Sequence, residues 1–86
     1  MDRDQLVSDL KEIIKPYTEN LDALANINEQ TDLMIDLKVN SANLVDIILD
    51  IEEKFDIVID NDSMTRMINI KETMAVINEK LAKNAG

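Results

Sequence analysis

The 86-residue chain has no Cys and no His. Without Cys there is no disulfide scaffold, no thiolate zinc site and no Cys nucleophile. Without His the commonest general base, the metalloprotease motifs and Ser-His-Asp triads are excluded as well. There is one Gly, Gly86, and one Pro, Pro16. A β-rich fold of this length needs more turn residues than that, so helices joined by Asn- and Asp-rich loops are expected. Tyr17 and Phe55 are the only aromatics, too few for a base-stacking platform. Basic residues are scarce, 9 Lys and Arg against 18 Asp and Glu, a net charge of −9. Nucleic acid is therefore not an expected partner, since binding to a phosphate backbone rests on cations. A basic protein surface, reached by electrostatic steering, is. No apolar run approaches the ~20 residues of a membrane span. The charged start Met1-Asp2-Arg3-Asp4, with no long apolar stretch behind it, does not read as a signal peptide. The expectation is one soluble, cytoplasmic, monomeric domain over residues 1–86 that is not an enzyme.

The apolar residues that are present make up 45% of the chain, enough for a core. Leu6, Val7, Leu10, Ile13, Ile14 and Tyr17 form one helical stripe, with Asp2 or Asp4 as its cap. Pro16 disfavours helical geometry at Lys15, which predicts an end or a kink there. Residues 18–39 are irregular, but Leu21, Leu24, Ile27, Leu33, Ile35 and Leu37 predict a loop pinned onto the core, with room for a short helix over 19–27. A second clear helix begins near Asn40 or Ser41 and carries Leu44, Ile47, Ile48, Ile51 and Phe55 on one face. Ile57-Val58-Ile59 reads as a core-packed linker, since no second strand is there to pair with it. Asp60 to Ser63 is a cap cluster before a short helix through Met64, Met67 and Ile68. A final helix uses Ile70, Met74, Ile77 and Leu81. The fold class is all-α: a small four-helix bundle with three longer helices and one short one.

Ser41 is the first candidate functional residue. Ser41 or Asn40 serves as the N-cap, a common role for both residue types. A Ser hydroxyl at this point is also exposed beside the positive end of a helix, where a phosphodiester-linked group is stabilised by free N–H groups. The second candidate is the acidic stretch over 41–62: Asp46, Asp50, Glu52, Glu53, Asp56, Asp60 and Asp62 against one base, Lys54. A charge run is ordinarily a solvated face. Here it is one-signed, and the border residues Val45 and Leu49 lie among the acids, a pattern that fits a docking patch for basic partners. Asp60, Asp62 and Ser63 invite comparison with a calcium loop. Counted from Asp60, however, the fifth, sixth and twelfth positions are Met64, Thr65 and Lys71. An EF-hand needs an acid or Asn, a Gly and a Glu at those places, so capping is the better reading. The methionines read as core filling, with Met64 and Met67 as an adaptable wall for a bound chain in the functional variant.

The stretch Thr31-Asp32-Leu33-Met34-Ile35-Asp36-Leu37-Lys38-Val39-Asn40-Ser41 resembles the approach to the modified serine of acyl carrier proteins. Leu44 to Ile57, with its Glu52-Glu53-Lys54-Phe55-Asp56-Ile57 ending, is similar to their second helix, and the likeness runs without a gap from Thr31 to Ile77. The resemblance implies a four-helix carrier bundle whose Ser41 bears 4′-phosphopantetheine. A separate phosphopantetheinyl transferase would attach that arm from coenzyme A. The arm would supply the thiol that the chain lacks, and would hold acyl groups as thioesters for enzymes of fatty-acid, polyketide or specialised lipid biosynthesis. Val45, Asp46, Leu49, Glu52 and Glu53 match positions with which family members meet acyl-transferring and chain-modifying enzymes. The usual Asp-Ser-Leu triplet is here Asn40-Ser41-Ala42. The family's Asp helps to hold magnesium during loading, and its Leu makes an apolar contact with partners. Lys38 replaces a common Gly, Asp60 a common Pro, and Ile70 a usual Val. These departures point to a divergent or specialised member. The alternative is an unmodified interaction module of the same fold that uses its acidic face. The Gly-Gly-His/Asp-Ser pattern of aminoacyl and peptidyl carriers does not match Lys38-Val39-Asn40-Ser41.

Overall fold

The computed structural model describes residues 2–85, with side chains through Lys83. Among these residues five helices follow in order: α1 (Arg3–Ile14), α2 (Leu21–Ala25), α3 (Ser41–Phe55), α4 (Asn61–Arg66) and α5 (Ile70–Ala85). No strand is present among the described residues. The all-α architecture is as expected, and the possible short helix over 19–27 is the five-residue α2.

α1 is capped by Asp2, whose carboxylate accepts from the Asp4 N–H at 3.3 Å. It buries Leu6, Leu10 and Ile14, with Val7, Ile13 and Tyr17 packed beside them. The helix ends where Pro16 predicts, but Lys15 keeps right-handed helical angles, φ −47° and ψ −45°. The break comes instead from the N–H that Pro16 lacks. Tyr17 and Thr18 then turn back onto the Ile14 carbonyl at 2.8 and 3.1 Å.

The long connection to α3 is held at several points. Leu24, Leu33, Leu37 and Val39 are buried, whereas Leu21 and Ile35, expected as pins, are exposed. Backbone contacts replace them. Asp32 and Asn69 form an isolated antiparallel bridge. The Leu33 N–H donates to the Ile68 carbonyl at 3.1 Å, and the Ile70 N–H to the Thr31 carbonyl at 3.0 Å. The loop is thereby tied to the α4–α5 junction. α3 buries Ile47, Ile48 and Ile51 in the hydrophobic core cluster. It ends at Asp56 in left-handed geometry, φ 53°. In the 57–59 linker Ile57 and Ile59 are buried and Val58 is 77% exposed, as expected for a packed linker. α4 stops at Arg66, short of Ile68. α5 contributes Ile70, Met74, Val76 and Ile77 to the core.

Candidate functional site

The start of α3 separates the two roles that the sequence offers to Asn40 and Ser41. Asn40 is the cap: its backbone is extended, and its side-chain oxygen accepts from the Asn43 N–H at 2.8 Å. Its carbonyl takes the Leu44 N–H at 2.9 Å. Ser41 is the first helical residue, exposed, and its hydroxyl makes no hydrogen bond among the described residues. The N–H groups of Ser41 and Ala42 belong to the orphan donors of a helix N-terminus. Just upstream, Leu37 and Val39 are both buried, and Lys38 between them stands out to solvent with φ 57°. That left-handed turn lets both neighbours point inward. It is also where the resembled family commonly has Gly, which adopts it without a Cβ clash.

Along α3, Val45 is 46% and Leu49 55% exposed, with Asp46 and Glu53 exposed beside them. Glu52 and Asp50 have internal partners that the charge pattern did not reveal. Glu52 is half-buried, and one of its carboxylate oxygens accepts from the Ile59 N–H at 2.7 Å, fixing the linker. Asp50 accepts from the Tyr17 hydroxyl at 2.8 Å. That hydrogen bond, with lesser contributions from burial and from the charges of Asp50 and Asp46, raises the Tyr17 pKa above its ordinary value.

A mainly apolar cleft of about 450 Å³ lies between the 32–35 loop, Leu44, and α4 with the residues after it. Met64 and Met67 line it, as the functional variant of the methionine reading required. Leu44 is one turn from Ser41, on the same helix face. Met34, Ile35 and Ile68 also line it and are exposed; the sequence reading did not assign them to a site. The one available signal was an apolar run, Leu33-Met34-Ile35, directly after a turn-forming Asp. A larger cleft of about 520 Å³ has charged Arg3, Asp4, Lys11 and Glu29 in its lining and no residue of α3. Volume alone therefore does not select the site; position relative to Ser41 does.

α4, the wall of the apolar cleft, is fastened to α5 at both ends. Lys80 pairs with Asp60 at 3.2 Å, and Arg66 with Glu79 at 3.0 Å and Glu72 at 3.7 Å. A hydrogen bond with Ser63, then the Lys80 ammonium, holds the Asp60 carboxyl down at about 2. Asp60 stands at the N-cap position of α4, as its sequence indicated, but its carboxylate makes no capping bond to a backbone N–H. Among the described residues no group of three or more Asp and Glu is arranged to hold a metal ion. No helix among them is long and apolar enough to cross a membrane.

No family model matches the chain. The acyl carrier protein of Desulforapulum autotrophicum is 32% identical over 71 residues, which cover 83% of this chain and 91% of the relative. That match spans nearly all of the relative and agrees with an all-helical fold in which an exposed serine opens the helix of the acidic face. The chain belongs to the acyl carrier protein family.

Proposed function

We propose that Ser41 is the attachment point for 4′-phosphopantetheine, and that the protein carries acyl groups as thioesters between enzymes of lipid or polyketide assembly. The observation that supports this most directly is the division of labour at α3. Asn40 takes the capping role, which leaves the Ser41 hydroxyl exposed and, among the described residues, without a hydrogen-bond partner. The residues present fit the group. A phosphodiester on Ser41 would meet the orphan N–H groups of the first turn and the positive end of a 15-residue helix. When bound, the arm supplies the thiol that a chain without Cys cannot. The chain's own part is to expose the hydroxyl, to offer the arm's cargo a cleft one turn away, and to be recognised. It is not itself a catalyst.

Recognition is assigned to α3. Val45 and Leu49 are the apolar anchors, and Asp46, Glu53 and the free edge of Glu52 meet basic surfaces of the transferase and of acyl-transferring and chain-modifying enzymes. Exposed ion pairs each contribute only about 0.2–1 kcal/mol, which suits a carrier that binds briefly and leaves. The protein acts in the cytoplasm as one monomeric domain.

Intact mass before and after incubation with coenzyme A, magnesium and a broad-specificity phosphopantetheinyl transferase tests the assignment. One added phosphopantetheine, absent from Ser41→Ala, is expected. Absence of any adduct with several transferases would overturn it, and leave the acidic face as the basis of an unmodified interaction module.

A further inference from the structure

We propose that Asp9 is a positioning residue for partner docking: it draws the Lys54 ammonium toward α1 and so keeps the face of α3 that meets basic partners negative. The inference rests on the docking role proposed for that face, and adds a residue that lies outside it. Lys54 is the one base in the acidic stretch from 41 to 62. It stands four residues after Asp50 on α3, the spacing and order at which an acid and a Lys pair on a helix surface. Among the described residues that pair is not formed. Groups from α1 and the turn after it take both of its members. Asp50 accepts from the Tyr17 hydroxyl at 2.8 Å. Lys54 Nζ lies 3.9 Å from Asp9 Oδ1. The same oxygen accepts from Gln5 Nε2 at 3.0 Å, one turn back on α1, which fixes the carboxylate.

Asp9 is only 8% exposed, and among the described residues it is the one charged residue that is buried. A carboxylate taken out of water needs an opposite charge or hydrogen bonds, and a buried ion pair on balance adds little to stability. The effect of Asp9 falls on Lys54 instead, whose long side chain is part-exposed and can turn either way. At 3.9 Å the pair holds by charge, without a hydrogen bond. With the Asp9 charge gone, the acid one turn back on the same helix is Asp50, and Asp46 is one turn further along that row. The ammonium would swing along the row. One positive charge would then enter the face that Val45, Asp46, Leu49 and Glu53 present. Exposed charges act weakly on one another, so docking should weaken by about twofold to fivefold, most at low salt.

Binding of a phosphopantetheinyl transferase to the 15N-labelled protein, without coenzyme A, tests this and does not require Ser41 to react. In wild type the amide signals of Val45, Asp46, Leu49 and Glu53 are expected to shift as the enzyme is added. If they stay in place, the docking role of α3 fails and this inference fails with it. Asp9→Asn keeps the shape of the side chain and the bond from Gln5, and removes the charge. It should raise Kd by about twofold to fivefold at about 20 mM salt, and by less at about 200 mM. In the loading assay the loss should appear in KM for the carrier, with kcat unchanged. Asp9→Asn/Lys54→Met should return Kd to the wild-type value or below it. The Tyr17 ring signals give a second readout that needs no partner: they should move in Asp9→Asn, as Lys54 reaches Asp50, and move back in the double variant. A double variant that binds as weakly as Asp9→Asn would show that the Asp9 charge acts on the partner directly. Asp9→Asn that lowers Tm but leaves Kd and the Tyr17 signals unchanged would make the pair a structural contact only. Either result overturns the proposal. Docking shifts with no arm on Ser41 by intact mass would remove the carrier assignment alone.

Discussion

The Tyr17 hydroxyl donates to the Asp50 carboxylate at 2.8 Å, across 33 residues of sequence, and joins the turn after α1 to the middle of α3. The bond removes one acid from the face assigned to partners and makes it part of the frame. It also sets the chain's single Tyr against the helix that opens with Ser41. The position of that helix can therefore be followed through one phenol.

Alkaline titration of Tyr17 should reflect this. The folded pKa lies above 10.0, chiefly because of the hydrogen bond to Asp50. A raised folded pKa means that the stabilisation is complete below the unfolded value and is lost as pH rises through the folded one. Phenolate absorbance, which reports one residue in this chain, should develop above pH 10 in the folded protein and at its ordinary pH in urea. Tyr17→Phe should lower Tm at neutral pH, and the difference from wild type should shrink at high pH. A normal titration midpoint in the folded protein would contradict the contact.

Asp60 makes the opposite prediction at the acid end. Its carboxyl titrates near 2 in the folded chain against 3.8 ordinarily, held down by Ser63 and then Lys80. A depressed folded pKa gives stabilisation that is present above the unfolded value and lost as pH falls through the folded one. Wild type should therefore out-melt Asp60→Asn at pH 6, and the two curves should converge as pH falls from about 4 toward 2. A difference in Tm that stays constant over that range would mean that the Asp60 charge is not what fastens α4.

Lys38 is predicted to cost stability through its backbone. A non-Gly residue in left-handed geometry is disfavoured by about 1 kcal/mol, while Gly gives back part of that through its freer unfolded chain. With φ at 57°, Lys38→Gly should stabilise by about 0.5–1 kcal/mol in urea unfolding. Lys38→Ala should leave stability nearly unchanged, since it keeps the Cβ and removes only the charge. If Ala stabilised as much as Gly, the ammonium and not the turn would be the cause.

What was legible in the sequence was what periodicity carries. The stripe Leu6, Leu10, Ile14 and the face Ile47, Ile48, Ile51 are buried as read, because a helical repeat determines which residues share a side. The start of α3 was legible to within one residue, since a cap must precede the first apolar turn; the cap is Asn40, and Ser41 follows it. The loop was harder to read. Its fastening rests on the Asp32–Asn69 bridge, a backbone pairing between distant residues that leaves no side-chain pattern. Leu21 and Ile35 were counted as pins by their apolarity alone, but backbone bonds already hold the segment and both face water. Glu52 looked like part of a solvated stripe until the return of the linker brought the Ile59 N–H to it.

Self-repulsion among the acids predicts a fold that salt strengthens. The net charge is −9, and among the described residues no ion pair involves Asp46 or Glu53. Screening over the Debye length should reduce that repulsion more than it weakens the Arg66 and Lys80 pairs, because the chain carries 18 acids against 9 bases. Tm is expected to rise between about 10 mM and 200 mM sodium chloride, where the Debye length falls from about 30 Å to below 10 Å. A flat or falling Tm would mean that the ion pairs on α4 outweigh the repulsion.

Asn40 separates folding from loading. As the cap of α3 it accepts from Asn43 at 2.8 Å, a bond that an Asp carboxylate would make equally well. Asn40→Asp should therefore keep Tm close to wild type, while Asn40→Ala should lose about 1 kcal/mol. Loading should follow a different order. If the family's Asp helps to hold magnesium while the arm is attached, Asn40→Asp should be modified by the transferase faster than wild type, and the advantage should grow at limiting magnesium. Asn40→Ala should be slow even at temperatures where its helix is intact. Initial rates of mass addition at two magnesium concentrations, set beside the melting curves, test both halves. Equal rates for Asn and Asp would show that position 40 acts on this carrier through the cap alone.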